Sequence, residues 1–246
     1  MNILRMKDED ETLDSFYAGR IRILQKKKGY RFSLDAPLLA DFIQTESRDE
    51  MLELGAGSGI ISLLLSVKPF THITAIELQP ALADLARRNV RLNHLGNRIT
   101  VKEMDLRSFS PERTFDKIFS NPPYYKKGKG QISHSQERAI ARHEITCDIF
   151  DIMKVTADCL NPDGSAYFIY PCRQEDYFME ALHRYALGIR CRRNVAARAD
   201  STPNLFLSAV DFAGEDMKLL PPLIMYEEEG RYSREAEEIF KGRYHA

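Results

Sequence analysis

Apolar residues along this chain come in short blocks, spaced by stretches of helical periodicity. Arg20-Ile21-Arg22-Ile23-Leu24-Gln25 alternates as a strand does, and a basic turn with two aromatics, Lys26 to Phe32, follows it. That turn reads equally as a solvated hairpin tip or as a contact for nucleic acid. Ser33 can cap a helix over 35–43, where Leu38, Leu39, Phe42 and Ile43 form one apolar stripe. From Glu50 the alternation becomes regular. The pattern predicts strands over 50–54, 72–76, 98–103 and 115–120, and helices over 60–67 and 80–95, the second stopped by Gly96. A helix over 148–160, a turn at Asn161-Pro162-Asp163-Gly164, a strand over 165–170 and a helix over 175–186 come next. Strands over 189–196 and 205–212 follow, then a short apolar piece after Pro221-Pro222 and a final acidic helix capped by Ser233. Strands alternating with helices mean βαβ units, a mostly parallel sheet and helices on both of its faces.

Composition narrows the class. The 246 residues are 43% hydrophobic, enough for one sizeable α/β core, and no repeat or low-complexity linker divides them. A single domain over 1–246 is expected, with 1–14 as a flexible lead-in. Net charge is -1, so any polyanion must be held by local patches. Cys147, Cys159, Cys172 and Cys191 are widely spaced and form no CxxC pair, which points to reduced thiols in the cytoplasm, with no disulfide framework and no metal site. The polar, acidic start is not a signal peptide, and no apolar run approaches the ~18 residues of a membrane span.

The candidate chemistry gathers at strand ends. Gly55, Gly57 and Gly59 follow the first regular strand and open a helix, in the spacing Gly-x-Gly-x-Gly. Such a turn lets a ligand approach the backbone. It differs from the Gly-x-Gly-x-x-Gly of a dinucleotide site. Glu77 ends the next strand, where a carboxylate can accept from both hydroxyls of a ribose; Asp105, past the third, can accept from an adenine amino group. After the fourth comes Asn121-Pro122-Pro123-Tyr124. Proline fixes the backbone there, so the Asn121 side-chain oxygen and the Pro122 carbonyl can aim at one planar amino group while Tyr124 offers a stacking face. Singly, each of these has a plain rival in a cap, a surface charge or a turn. Their order, each at a strand end, points to an adenosine-containing cofactor. The polar and basic segment 125–141 beside the last of them is long enough to be either functional or disordered.

Glu53-Leu54-Gly55-Ala56-Gly57-Ser58-Gly59, Glu77, Asp105 and Asn121-Pro122-Pro123-Tyr124 resemble the motifs of class I S-adenosylmethionine-dependent methyltransferases that act on amino nitrogens. Phe32 to Ala40, with Asn121 to Tyr125 followed by Ala141-Arg142-His143-Glu144, resembles a narrower group, the bacterial valine-tRNA adenine-N6 methyltransferase family among the small-domain methyltransferases. The resemblance implies a Rossmann-like, seven-stranded, mostly parallel sheet whose last strand is antiparallel, with 15–48 as a hairpin and helix on the cofactor side. It implies S-adenosylmethionine as cofactor and tRNA as partner. Glu53, Gly55, Gly57 and Gly59 would hold the methionine end, Glu77 the ribose and Asp105 the adenine, with Ala56, Leu78, Leu106 and Asn121 as further cofactor contacts. Ser33 and Asp35 are further contacts, from a segment that closes over the cofactor. Asn121, Pro122 and Tyr124 would bind the target amine. Lys126, Lys127, Lys129, Arg190, Arg192 and Arg193 are candidates for RNA phosphates. His143 and Glu144 read as either a structural pair or a substrate contact. A ribosomal-RNA guanine methyltransferase and a protein glutamine methyltransferase use the same acceptor pair. Enzymes of the first kind often carry a duplicated second domain and those of the second usually a helical N-terminal one, and neither is expected from this sequence.

Overall fold

The computed structural model describes residues 7–28, 34–122, 147–212, 214, 216–227 and 230–243. Their centre is an eight-stranded sheet in the order β5-β4-β3-β6-β7-β9-β8-β10. In sequence these strands are β3 (Glu50–Leu54), β4 (His72–Glu77), β5 (Ile99–Glu103), β6 (Phe115–Ser120), β7 (Leu160–Pro171), β8 (Gly188–Ala196), β9 (Leu205–Asp211) and β10 (Lys218–Ile224). All neighbours pair in parallel except β9, which runs antiparallel to β7 and β8. A mostly parallel sheet with an antiparallel 205–212 strand is the expected class; the eighth strand is not. Pro221 and Pro222 read as a break, yet β10 pairs with β8 on both sides of them through a register shift between Leu220 and Leu223. Proline gives no N–H to a ladder, so the pairing skips the two and resumes. The expected turn at 161–164 is likewise absorbed into β7, at a register shift against β6.

Alternate side chains of each strand face two helical layers, because successive residues point to opposite sides. One layer holds α1 (Asp35–Phe42), α2 (Ile60–Leu65), α3 (Pro80–Leu92) and α6 (Arg234–Lys241); the other holds α4 (Ile149–Cys159) and α5 (Glu175–Arg184). Met51 thus packs under α1 and α2, while Leu52 and Leu54 pack under α4. Asp148 caps α4 through a reciprocal box with Asp151, and Ser233 caps α6 by accepting from Ala236 N. The cap expected of Ser33 lies outside the described residues. α3 stops at Leu92, with His94 left-handed at φ 58, so Gly96 lies past its end.

A separate hairpin, β1 (Glu11–Phe16) and β2 (Ile21–Lys26), lies against α3. The flexible lead-in expected through residue 14 is therefore wrong from Glu11 on. That carboxylate is wholly buried between Arg88, at 2.7 Å, and Lys26, at 3.1 Å. Burial raises its pKa, but the hydrogen bonds from these cations prevail and hold it at about 2. Asp8 and Asp10 stand close enough to Glu11 to share an ion, and Lys26 already bridges all three.

Candidate functional site

The carboxyl ends of β3, β4 and β6 meet at one edge. Gly55, Gly57 and Gly59 turn the chain from β3 into α2 at φ of 75°, 56° and 80°, a left-handed run that only glycine adopts without strain. A Cβ on Gly59 would also come within 3.3 Å of Ala86 Cβ, so the turn lies close on α3. The neighbouring strand holds its shape. Ile76 O accepts from Gly55 N at 3.0 Å and Ala56 N at 2.9 Å. Glu77 Oε2 accepts from Gly57 N at 2.7 Å, and Glu77 Oε1 from Gln79 N at 2.8 Å.

Glu53 is 1% exposed, beneath α2. One oxygen accepts from Ser62 Oγ; the other, Oε1, has no partner among the described residues. Burial pushes its pKa up to about 8, against the Ser62 hydrogen bonds, and nearby Glu77 adds to the rise. Ser58 Oγ, in the turn itself, is also buried and unpaired. An acceptor left bare beside a glycine cradle fits the positively charged amino-acid end of S-adenosylmethionine.

Asn121 and Pro122 follow β6, the strand hydrogen-bonded to β3 with Glu53 opposite Phe119. Ser120 Oγ donates to Leu54 O at 2.7 Å, tying this end to the glycine turn. The Asn-Pro pair and the turn therefore stand on adjacent strand ends, about one strand spacing of ~4.8 Å apart. Tyr124, Lys126, Lys127, Lys129, His143 and Glu144 lie outside the described residues.

Other expected contacts have different surroundings. Asp105 caps the turn Leu106–Ser108 by accepting from Arg107 N at 3.0 Å, and it pairs with the Arg107 guanidinium, which holds its carboxyl below the usual range. Its charge is thus already answered from within the chain. Leu106 is buried, and Leu78 is exposed at the same edge. Among the basic candidates, Arg192 pairs with Glu175 and lies over the Phe206 ring at 4.5 Å. Arg193 pairs with Glu235 at 2.8 Å and donates to Pro221 O at 3.0 Å. Arg190 stands near the start of β8, at the opposite edge, 3.6 Å from Asp211. These three hold the fold together. Of the three, Arg192 reaches Glu175, just past the carboxyl end of β7, while Arg190 stands at the other edge.

Sequence reading missed Asn89. Fully buried on α3, its Oδ1 accepts from Leu24 N at 2.7 Å, and its Nδ2 donates to Leu24 O at 3.1 Å and to Ser58 O at 3.0 Å. One amide thus joins the hairpin, α3 and the glycine turn. One helical turn on, Asn93 grips Arg22 the same way, N to Oδ1 at 2.9 Å and Nδ2 to O at 2.6 Å. Two asparagines at i and i+4 facing an apolar strand were the available signal.

The fold is that of known methyltransferases. A predicted O-methyltransferase of Agrobacterium tumefaciens superposes with a TM-score of 0.66 at 20% identity, over 86% of this chain and 97% of its own. The tRNA m1G37 methyltransferase of M. jannaschii does so at 0.56 and 14%, over 83% and 55%. Residues 31–169 match the methyltransferase small domain, and the chain belongs to that family. It is 33% identical over 190 residues to the tRNA1(Val) (adenine(37)-N6)-methyltransferase of Shewanella amazonensis, across 76% of this chain and 80% of that protein. The protein of the same name from Bacteroides thetaiotaomicron is 26% identical, across 93% and 96%.

Proposed function

We propose that the protein transfers a methyl group from S-adenosylmethionine to the exocyclic amine of an adenine in the anticodon loop of valine tRNA, in the cytoplasm. The observation that carries this reading is the adjacency of the Asn121-Pro122 end of β6 to the left-handed glycine turn of β3. The relatives' names supply the substrate, an adenine of tRNA1(Val).

Bound S-adenosylmethionine supplies a methyl on a sulfonium, a good leaving group for in-line displacement. The chain supplies position. Glu53 takes the ammonium end with its bare oxygen, Gly55 to Gly59 take the rest of the amino-acid end, and Glu77 takes the ribose hydroxyls. Leu78 and Leu106 line the cofactor, and Asp105, on release from Arg107, faces the adenine amine. Asn121 and the Pro122 carbonyl accept from the substrate's amino group. An amine conjugated to its ring is a poor nucleophile; two acceptors favour the pyramidal form reached near the transition state, which raises kcat more than binding. Tyr124 stacks the base, and Lys126, Lys127 and Lys129 meet phosphates. An adenine in a loop unstacks at lower cost than one in a duplex.

The test is methylation of a valine-tRNA transcript, read as N6-methyladenosine by mass spectrometry of the digested nucleosides. Asn121→Ala is expected to lower kcat by ~10²–10³ while calorimetry shows unchanged affinity for S-adenosylhomocysteine. Unchanged kcat would overturn the role of Asn121; label appearing in guanosine or in protein would overturn the substrate.

A further inference from the structure

The carboxyl edge continues past Asn121 along the ends of β7, β9 and β8. Pro171 and Val195 both stand opposite Leu205 of β9, so the ends of β7 and β8 are level and two strand spacings, about 10 Å, apart. Arg173 follows the first end and Arg198 the second. Both are exposed, and among the described residues neither guanidinium has a hydrogen-bond, ion-pair or ring partner. This is the reverse of Arg192 and Arg193, whose guanidiniums are held by carboxylates. Between the two ends Cys172 N donates to Asn204 O at 3.0 Å. Beside them, against α1, a cavity of about 150 Å³ opens, with Asp35 and Leu38 as well as Ala197, Asn204, Leu205 and Tyr226 in its wall. Tyr226 is stacked on Tyr232 at 5.1 Å and 21°, which fixes its ring plane.

We propose that this lip is the track for the single-stranded RNA flanking the methylated adenine: Arg173 and Arg198 take phosphates, and the cavity takes a neighbouring base against Tyr226, with Asn204 bonding its edge. The inference rests on the function proposed above. Its argument is separate. A guanidinium fork matches phosphate, and one with no internal partner gives up no ion pair to bind it. Sequence-tolerant grip on single strands combines such charges with a flat aromatic face. With a net charge of -1, the chain must attract RNA through patches of this kind.

The full-length protein would be titrated with a labelled valine-tRNA transcript across a salt series. Arg173→Gln and Arg198→Gln are each expected to reduce the slope of log K against log[salt] by about one, with S-adenosylhomocysteine affinity unchanged. Arg91→Gln is the control, since Arg91 is equally exposed but lies at the far end of α3, by the opposite edge. Asn204→Ala should weaken binding roughly tenfold with the slope intact, as a base contact would. Slopes unmoved by Arg173→Gln and Arg198→Gln, or moved equally by Arg91→Gln, would overturn the track. Unchanged affinity in Asn204→Ala would remove the base from the cavity. A wild type that methylates the transcript while these variants behave normally defeats this inference alone; a wild type that methylates no tRNA defeats the function on which it rests.

Discussion

The two edges of the sheet are built to opposite ends. At the amino edge the charged groups are closed on backbone carbonyls and amides, although Thr45 Oγ1 there is buried without a partner among the described residues. Lys68 Nζ donates to Ala40 O and Asp41 O at 2.8 Å and to Ile43 O at 2.7 Å, capping the last carbonyls of α1. Arg98 caps Ser66, Lys68 and Phe70 carbonyls at 3.1–3.3 Å and lies 3.9 Å from the Phe70 ring centre. Asp116 accepts from Glu50 N at 2.9 Å and Asn161 Nδ2 at 2.6 Å, joining β6 to β3 and β7. At the carboxyl edge a buried carboxylate keeps a bare oxygen, a buried hydroxyl has no partner, and three consecutive odd-numbered glycines hold left-handed backbone. A bare buried acceptor costs stability that a satisfied one does not. The difference teaches where the fold spends stability on readiness to bind, and it is the carboxyl edge, as the switch-point rule for open sheets requires.

The sharpest way to break this contrast is Asn89, which acts on the carboxyl edge from behind. Asn89→Ala leaves Leu24 N, Leu24 O and Ser58 O without their partner, and should cost roughly 2–4 kcal/mol in urea unfolding and about tenfold in S-adenosylhomocysteine affinity. Asn93→Ala removes the matching grip on Arg22 but no bond to the turn, so it should lower stability alone. Equal affinity losses in both would mean that Ser58 is not held from α3.

Glu53 gives the next effect, with a definite sign. Its folded pKa of about 8 stands above the ordinary 4.5, so between those values the folded state binds the extra proton. Stability from this group is complete below about pH 4.5 and is lost as pH rises through 8, by something on the order of 5 kcal/mol in all, of which about 3 kcal/mol falls above pH 6. Glu53→Gln should flatten that decline. Urea midpoints at pH 6 and pH 9 decide it, and parallel declines in both proteins would show that Glu53 is ionised throughout. The smallest effect belongs to the closed edge. Lys68→Met should cost about 1–2 kcal/mol and leave cofactor affinity untouched; a loss of affinity there would dissolve the division of labour between the edges.

Much of the architecture could be read before any coordinates, because its signals are local. The strand–glycine–helix run over 50–65 and the capped helices at Asp148 and Ser233 each depend on a few adjacent residues. What escaped depends on distant partners. β10 is a strand because β8 lies beside it, while Pro221-Pro222 argue locally for a break. Glu11 is ordered by Arg88, 77 positions away. Arg192 and Arg193 look like a basic patch in one dimension and are ion pairs in three. Of the site, the glycines and Glu77 stand where their spacing put them, whereas Asp105 already answers Arg107, and Arg173 and Arg198 carry no mark in the sequence that sets them apart from their paired neighbours.

Pro221 and Pro222 have one more effect. A sheet grows by recruiting another extended chain onto its outermost strand, and the recruit needs donors to bond. Adjacent prolines point their missing N–H groups to opposite sides, so the pair that interrupts pairing with β8 also leaves a gap on the outward flank of β10. Leu219, 61% exposed on that flank, would otherwise be an invitation to stick. The dipeptide acts as a terminator, leaving an incoming strand fewer donors to bond along this apolar rim.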